Sequence, residues 1–254
     1  MDNKVHILDG ERFILTFEDN FEGDSLDKTK WELCPQVERQ DAGGFWDDSM
    51  IEVHDGKLFC KVDVNKFPEG QDYNHEKYPL GVLPISGGIR TRGIFEQAYG
   101  WFEARCKLMR VTGPWDAFWM MCGRVAPSDK ASENGVEIDI MESVYNENFI
   151  GHTLHWDGYG PRHKAVGQHF HTRDDLFDDD FHTFALKWSP KSYAFYIDGK
   201  KTYETTAAGV CKFPGYMKLT CEFGAWGGKI TPENYPAAME VDYVRAYQFE
   251  ELFK

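Results

Sequence analysis

The sequence is dominated by an alternation of apolar and polar residues with a period of two. In WFEARCKL, residues 101–108, the apolar side chains of Phe102, Ala104, Cys106 and Leu108 recur at every second position. This spacing places them on one face of a β-strand. Similar short runs recur along the chain, and long amphipathic helical patterns are absent. The pattern therefore predicts an all-β sandwich or barrel.

The organisation of the chain favours one domain spanning residues 1–254. Asp-Gly pairs at 55–56 and 198–199 mark turns between successive runs. No linker, internal repeat or low-complexity tract divides the 254 residues. β-Sandwiches of about 250 residues are common as single units, so the length agrees with this prediction.

The charge balance excludes several classes of partner. The chain carries 42 acidic and 28 basic residues, a formal net charge of −14. An acidic surface repels phosphate backbones, so no nucleic-acid partner is expected. No apolar run approaches the roughly 20 residues of a membrane span, so we expect no membrane partner. The first ten residues lack the apolar stretch of a secretory signal, which indicates a cytoplasmic protein or a secreted one whose signal was removed.

Six cysteines are spread along the chain, and none forms a C-x-x-C pair. A zinc or thioredoxin-type site is therefore not indicated. Three disulfides remain one interpretation of the even count. The apolar neighbours in LFCKV, EARCKL and WMMCG favour buried free thiols instead.

Three acidic residues lie in GVEIDIMESV, residues 135–144, and their spacing determines which face of a strand each would occupy. Glu137 and Asp139 share one face of the predicted strand, but strict alternation would turn Glu142 into the core. An unpaired carboxylate there would cost several kcal/mol. A β-bulge near Met141 inserts one residue and returns Glu142 to the face of Glu137. The sequence therefore predicts three carboxylates on one face of a bulged strand.

Such a row of acids suits glycoside hydrolysis. Like charges repel, so the pKa of one carboxyl rises until it keeps its proton. One carboxylate can then attack the anomeric carbon while a protonated carboxylic acid donates to the leaving oxygen. Two alternatives remain open from spacing alone: a solvated acidic strand edge and a calcium site.

The motif E-x-D-x-x-E from Glu137 to Glu142 is also the signature of a known family. On it, the chain resembles glycoside hydrolase family 16, in the bulged branch that includes laminarinases, agarases, κ-carrageenases and porphyranases. The resemblance extends over nearly the whole chain, through FEDNFEGDSLDKTKW, SGGIRTRGIFEQAYGWFEARCKL, GPWDAFWMM, FHTFALKWSP and MEVDYVRAYQ. It implies a β-sandwich jelly roll with a concave substrate cleft.

The resemblance assigns roles to the three acids. Glu137 would be the nucleophile, Asp139 its assisting residue and Glu142 the general acid/base. The anomeric configuration would be retained through a glycosyl-enzyme intermediate. No cofactor would be required.

Aromatic residues are the second group of candidates, because flat C–H faces of sugars stack on indole rings. Trp115 and Trp119 are four residues apart and would share one side of a strand. The resemblance places Trp115 against the sugar beside the cleavage point and often uses Trp119 as well. Core packing is the alternative for Trp119.

Further substrate-binding candidates come from three other segments. His155 falls on the T-L-H of laminarinases, where it would bond a sugar hydroxyl near the acid/base, and Trp156 follows it. Trp226 matches a cleft-edge loop, and Trp46 lies in an N-terminal loop that could reach the same cleft. A structural histidine and packed tryptophans are the respective alternatives.

The resemblance also implies a possible structural calcium on the convex face. Its ligands would be Asn20, the carbonyl of Gly56, and Asp242, with Asn20 replacing the family's carboxylate. Other departures lie near the cleft: Asp116 stands where the family has proline, and Gly88 replaces the arginine of S-A-R-I.

The predicted function is a retaining endo-β-glycanase acting as a monomer on β-1,3-glucan or mixed-linkage β-1,3/1,4-glucan. One alternative is an endo-hydrolase of a β-galactan-type glycan, such as agar, carrageenan or a host glycan. The acidic charge disfavours sulfated substrates unless the cleft holds a local basic patch. The other alternative is a non-catalytic carbohydrate-binding module on the same scaffold.

Overall fold

The computed structural model describes residues 5–37, 44–126, 134–171 and 176–253. Its strands, in chain order, are β1 (Val5–Leu8), β2 (Glu11–Asp19), β3 (Glu32–Leu33), β4 (Phe45–Trp46), β5 (Ile51–His54), β6 (Lys57–Lys66), β7 (Val82–Ser86), β8 (Gly88–Arg90), β9 (Gly100–Lys107), β10 (Pro114–Gly123), β11 (Gly135–Val144), β12 (Phe149–Trp156), β13 (Lys164–His171), β14 (His182–Trp188), β15 (Tyr193–Ile197), β16 (Lys200–Thr205), β17 (Gly215–Phe223) and β18 (Ala237–Phe249). Short 3₁₀ helices cover Asp48–Met50, Tyr145–Glu147, Ala225–Gly227, Pro232–Asn234 and Glu250–Leu252. Within the described residues, no helix has the length and apolarity needed to cross a membrane.

The strands form two sheets. The larger has eleven strands, with the order β16-β15-β14-β9-β18-β6-β7-β4 and with β1, β2 and β5 paired beside this path. The smaller has seven strands in the order β13-β12-β11-β10-β17-β8-β3. Buried side chains from both sheets make one apolar core. This architecture confirms the predicted all-β jelly-roll sandwich.

Alternation along the strands decides which side chains fill the core. Phe102, Ala104 and Cys106 on β9 are completely buried in the core between the sheets, as the sequence predicts. Trp101 is also buried, in a second apolar cluster with Phe13 and five other residues. All six cysteines are buried with free thiols, which confirms that interpretation of their apolar neighbours.

The same alternation on the smaller sheet creates the surface that carries the candidate site. On β10, Phe118 and Met120 are completely buried in the core. Trp115, Ala117 and Trp119 occupy the other phase and line a cavity on the outer face of this sheet. The candidate site therefore rests on a continuous hydrogen-bonded platform of β10, β11, β12 and β17.

Candidate active site

The acidic strand β11 contains the bulge that its sequence predicts. Opposite β10, Trp119 pairs with Asp139 and Phe118 pairs with Met141, so Ile140 has no partner on that strand. Ile140 and Met141 are consecutive and both completely buried. The extra residue shifts the phase of the strand and restores its later side chains to the cleft face. Glu137, Asp139 and Glu142 consequently line one cavity.

His152 on β12 holds the bulge from the core side. Its Nδ1 donates to the backbone carbonyl of Ile140 at 2.6 Å, and its Nε2 lies 2.9 Å from Thr202 Oγ1 on the opposite sheet. The ring stacks on Phe195 with centroids 4.9 Å apart. Burial lowers the pKa of His152 from 6.5 to about 4, so the imidazole is neutral at neutral pH. Sequence reasoning missed this residue, although a histidine between Ile150 and Leu154 on the core phase was a visible signal.

Burial raises the pKa of two of the three acids in the row, Asp139 and Glu142. Asp139 is 4% exposed, and burial together with the charge of Glu137 raises its pKa well above the ordinary value. Part of Glu142 reaches the cleft, yet its carboxyl is surrounded by protein. Burial, followed by the charges of Asp139 and Glu137, raises the pKa of Glu142 well above 4.5. The raised pKa favours the protonated form of Glu142, which is the state a general acid needs.

Glu137 is held by a residue from the loop after β12. The hydroxyl of Tyr159 donates to Glu137 Oε2 at 2.5 Å. The same oxygen of Tyr159 lies 3.8 Å from the sulfur of Met121. Burial, then the charge of Glu137, raises the pKa of Tyr159 far above 10, so the phenol keeps its proton and acts as a donor. Sequence reasoning did not identify Tyr159, because no periodicity or motif marks it.

His155 contacts the middle acid of the row. Its Nε2 lies 3.2 Å from Asp139 Oδ2, and its Nδ1 lies 2.8 Å from His163 Nε2. The two imidazoles stack with an interplanar angle of 10°. The two imidazoles are hydrogen-bonded to each other, whereas His155 Nε2 lies near Asp139 Oδ2 without hydrogen-bond geometry. The structure thus adds a link to the assisting acid that the sequence did not reveal.

Two cavities meet at Glu142. The first has a volume of 530 Å³ and is lined by Pro35, Trp46, Arg90, Trp115, Ala117, Trp119, Met121, Glu137, Asp139, Glu142, Tyr159, Lys218 and Glu222. The second has a volume of 520 Å³ and is lined by Glu142, Glu147, Phe149, Thr153, His155, Ala165, Val166, Gly167, His169 and Trp226. A chain bound along both would cross the row of acids. Glu142 would then face the bond between the two bound portions.

The structure brings Trp115, Trp226 and Trp46 to the cavities, but it does not bring Trp156 there. Trp115 lines the first cavity and Trp226 the second, and their ring centroids lie 5.5 Å apart. Trp46 also lines the first cavity and is 4% exposed. Trp156 packs against the core, because it is one residue out of phase with His155. The structure therefore does not bring Trp156 to the cleft.

Trp119 lines the first cavity, but one of its faces is already occupied. Its Nε1 donates to Thr220 Oγ1 at 3.0 Å. The ammonium of Lys218 lies 3.5 Å from its ring centroid and 4.8 Å from that of Trp46. This geometry is a cation–π contact on two indoles. The covered face of Trp119 is closed to sugar stacking.

The end of the first cavity that contains Trp46 is rich in charge. Lys218 is 5% exposed and Glu222 is 4% exposed. The Nε of Arg90 donates to Glu32 Oε1 at 2.5 Å, and Arg92 lies 3.2 Å from the same oxygen. Lys218 and Glu222 sit on alternate positions of YMKLTCEF, so their phase was readable, but the cavity they share was not. These groups can donate to and accept from sugar substituents.

The predicted calcium ligands lie away from this cleft and have other partners. Asn20 Oδ1 accepts from Arg245 Nη2 at 3.2 Å, and Asp242 Oδ2 accepts from Arg105 Nη1 at 2.6 Å. Gly56 occupies an Asp-Gly turn with φ of +67°. Calcium therefore remains a prediction from the sequence. The oxygen and nitrogen atoms of Glu137, Asp139 and His155 lie within 4.8 Å of one another, but this compactness belongs to the row of acids and we assign no metal to it.

Sequence comparisons show a family and two described proteins to which this chain is similar. The model of the family "Glycosyl hydrolases family 16" matches residues 45–245. A glucan endo-1,3-β-glucosidase A1 from Niallia circulans is 29% identical over 92% of this chain and 38% of that protein. A keratan-sulfate endo-1,4-β-galactosidase from Sphingobacterium multivorum is 32% identical over 64% of this chain and 40% of that protein. The chain thus spans about two fifths of the length of these two relatives.

A solved structure has the same fold over almost the whole chain. The X-ray structure of an endo-β-1,3-glucanase from Pyrococcus furiosus is 26% identical to this chain. The superposition has a TM-score of 0.75 and covers 96% of this chain and 98% of that one. The overall fold is therefore shared with a protein of known architecture.

Proposed function

Since the chain belongs to the glycosyl hydrolases of family 16, we propose that it cleaves β-linked polysaccharides internally, with retention of the anomeric configuration. The observation that carries the proposal is the position of Glu142. This acid has a raised pKa, lies where two cavities meet, and shares a bulged strand with Glu137. A proton donor and a second carboxyl group on one face are the two groups that retaining hydrolysis uses.

The chemistry divides between the acids in two steps. Glu142 gives its proton to the leaving oxygen while a Glu137 oxygen attacks the anomeric carbon and forms a glycosyl ester. Glu142, now a carboxylate, then takes a proton from water, and that water releases the sugar from Glu137. Asp139 stays between them and receives the His155 contact at 3.2 Å. These steps need no further cofactor.

The proposed substrate is β-1,3-glucan or mixed-linkage β-1,3/1,4-glucan. The Niallia circulans relative is named for β-1,3-glucan, and so is the Pyrococcus furiosus enzyme with the shared fold. Trp115 and Trp226 supply aromatic surface on the two sides of Glu142. Action as a monomer is part of this proposal.

A β-galactan-type glycan is the second candidate, and two observations favour it. The Sphingobacterium multivorum relative is named for keratan sulfate. Lys218 and Arg90 line the first cavity, which gives an acidic protein a local cationic patch beside its acids. Glu222 lies in the same cavity and opposes an anionic substituent there. The neutral glucan therefore remains the first proposal.

Reducing-end release from a panel of polysaccharides tests the function. The panel is laminarin, lichenan, agarose, κ-carrageenan and keratan sulfate, each assayed with the wild type and with Glu137→Gln. We expect release from laminarin or lichenan by the wild type only, with the β-anomer as first product by ¹H NMR. Binding without release from any polysaccharide would favour the carbohydrate-binding module. Equal release by Glu137→Gln would refute the assignment of the nucleophile, and an α-anomer would refute retention.

A further inference from the structure

The loop between β12 and β13, residues 157–163, reaches back over the row of acids. It makes contacts with two members of the site: Tyr159 donates to Glu137 at 2.5 Å, and His163 lies 2.8 Å from His155. At its start, Asp157 has a φ of +63° and accepts from Lys164 Nζ at 2.7 Å. The loop is thus tied at its base and delivers side chains inward at its tip.

Tyr159 is unusual because its ring and its hydroxyl lie in different environments. The residue is 59% exposed, one of the more exposed large side chains of the described chain. Its hydroxyl nevertheless turns inward, to Glu137 and the sulfur of Met121. An exposed tyrosine with no task at this site would direct its hydroxyl to water. Glycines at 158 and 160 flank it and leave the backbone free to adopt this approach.

The hydrogen bond acts on one oxygen of the nucleophile. Tyr159 donates to Oε2 of Glu137, so Oε1 carries the lone pair that attacks the sugar. A donated hydrogen bond favours the carboxylate form of an acid over its neutral form. When water later attacks the glycosyl ester, the departing Glu137 regains its negative charge, and the same donor stabilises it. The phenol keeps its proton throughout both steps, so no additional proton acceptor is needed.

We propose that Tyr159 is a positioning residue for Glu137: its hydroxyl fixes the rotamer of the side-chain carboxyl. The kinetic part of this proposal rests on the function proposed above. The structural part concerns the free protein and does not depend on any substrate.

Carbon-13 NMR of the free protein at neutral pH tests the structural part. Glutamate is labelled at its side-chain carboxyl, and the Glu137 resonance is assigned by its loss in Glu137→Gln. In Tyr159→Phe we expect this resonance to change its chemical shift and to broaden, because the carboxyl loses the donor that holds it in one rotamer. Tyr243→Phe is the matched control, since Tyr243 donates to Glu103 at 2.8 Å, on β9 of the larger sheet. It should leave the Glu137 resonance unchanged.

Kinetics on whichever polysaccharide of the panel is cleaved provide the second measurement. Tyr159→Phe should lower kcat about tenfold with little change in KM. Phenylalanine keeps the exposed ring, so the thermal midpoint should match the wild type. An unchanged Glu137 resonance together with an unchanged kcat would overturn the proposal. If the wild type cleaves no polysaccharide, the proposed function fails, while the NMR spectrum still decides the role of Tyr159.

Discussion

His152 Nδ1 donates to the carbonyl oxygen of Ile140 at 2.6 Å, at the position where β11 bulges. The bulge turns Glu142 to the cleft, and the other side of the imidazole contacts Thr202 on the opposite sheet. The spacing of the acids therefore depends on a residue that lies between the sheets and touches no substrate. This dependence makes the core of the sandwich part of the catalytic geometry.

Replacing His152 should damage stability and catalysis together. His152→Leu leaves the buried carbonyl of Ile140 without its donor, which costs about 1–3 kcal/mol of unfolding free energy. Loss of the bulge geometry displaces Glu142, and a displacement of about 1 Å can cost about 100-fold in rate. Urea unfolding and kcat measure the two effects. Ile150→Val, in the same core phase of β12, should lower stability modestly and leave kcat intact; full kcat in His152→Leu would contradict the role in positioning.

The same histidine should make the fold sensitive to acid. Burial lowers the pKa of His152 to about 4 from 6.5. Between these values the unfolded chain binds a proton that the folded protein does not, so unfolding free energy falls as pH drops from 6.5 to 4, by about 3 kcal/mol. His152→Gln keeps a donor for Ile140 and removes this loss. Urea unfolding at pH 7, 5.5 and 4 should show a flatter acid profile for His152→Gln than for the wild type.

Asp116 should lower the unfolding free energy as pH rises, which is the opposite pH dependence to that of His152. It is 1% exposed, and burial raises its pKa to about 6 from 3.8, although Met109 and Ser143 donate to it at 2.8 and 3.1 Å. Between these values the folded protein holds a proton that the unfolded chain has released. Asp116 therefore lowers unfolding free energy as pH rises from 4 to 6, by about 3 kcal/mol.

Asp116→Asn provides the test, because the amide oxygen can still accept from Met109 and Ser143. Its stability relative to the wild type should increase by about 3 kcal/mol between pH 4 and pH 7. Thermal unfolding across that range measures the difference. A constant difference would show that Asp116 does not exchange its proton in this window.

The apolar–polar periodicity of the sequence is sufficient to predict the fold and the row of acids, but it predicts little else of the site. Phase alone requires a bulge between Asp139 and Glu142, because a carboxyl in the core is too costly. Phase also separates His155 from Trp156, which cannot both face the cleft from one regular strand. The contact between Tyr159 and Glu137 depends on how a loop without periodicity folds back over β11. Local sequence patterns do not encode the path of such a loop, so this contact could be identified only from the three-dimensional structure.

The effect of removing the proton donor Glu142 should depend on the leaving group of the substrate. Glu142→Gln should lower kcat/KM on polysaccharide by about 10²–10⁴-fold, the usual contribution of general acid–base catalysis. An aryl glycoside with a dinitrophenolate leaving group needs no proton, so its first step should be nearly unaffected and the glycosyl-enzyme should accumulate. Burst kinetics and mass spectrometry detect that intermediate. Glu103→Gln, on β9 of the larger sheet, is the control; equal losses on both substrates would contradict the role of Glu142 as acid.

The ammonium of Lys218 should discriminate between the two candidate substrates. It lies against Trp119 and Trp46 at the end of the first cavity, where it can donate to a sugar substituent. Lys218→Met keeps much of the chain length but loses the donor, so KM should rise about tenfold while kcat changes less. Lys191→Met, at an exposed turn, removes the same charge elsewhere and should leave KM unchanged.

Ionic strength separates the remaining possibilities for Lys218. With a neutral glucan, the wild-type KM should stay constant between low and high salt, because hydroxyl groups carry no charge to screen. With a sulfated glycan, the wild-type KM should rise with salt, and Lys218→Met should weaken that dependence. A salt-independent KM that Lys218→Met does not alter would remove Lys218 from substrate binding and leave its cation–π contact with Trp119 as a purely structural interaction.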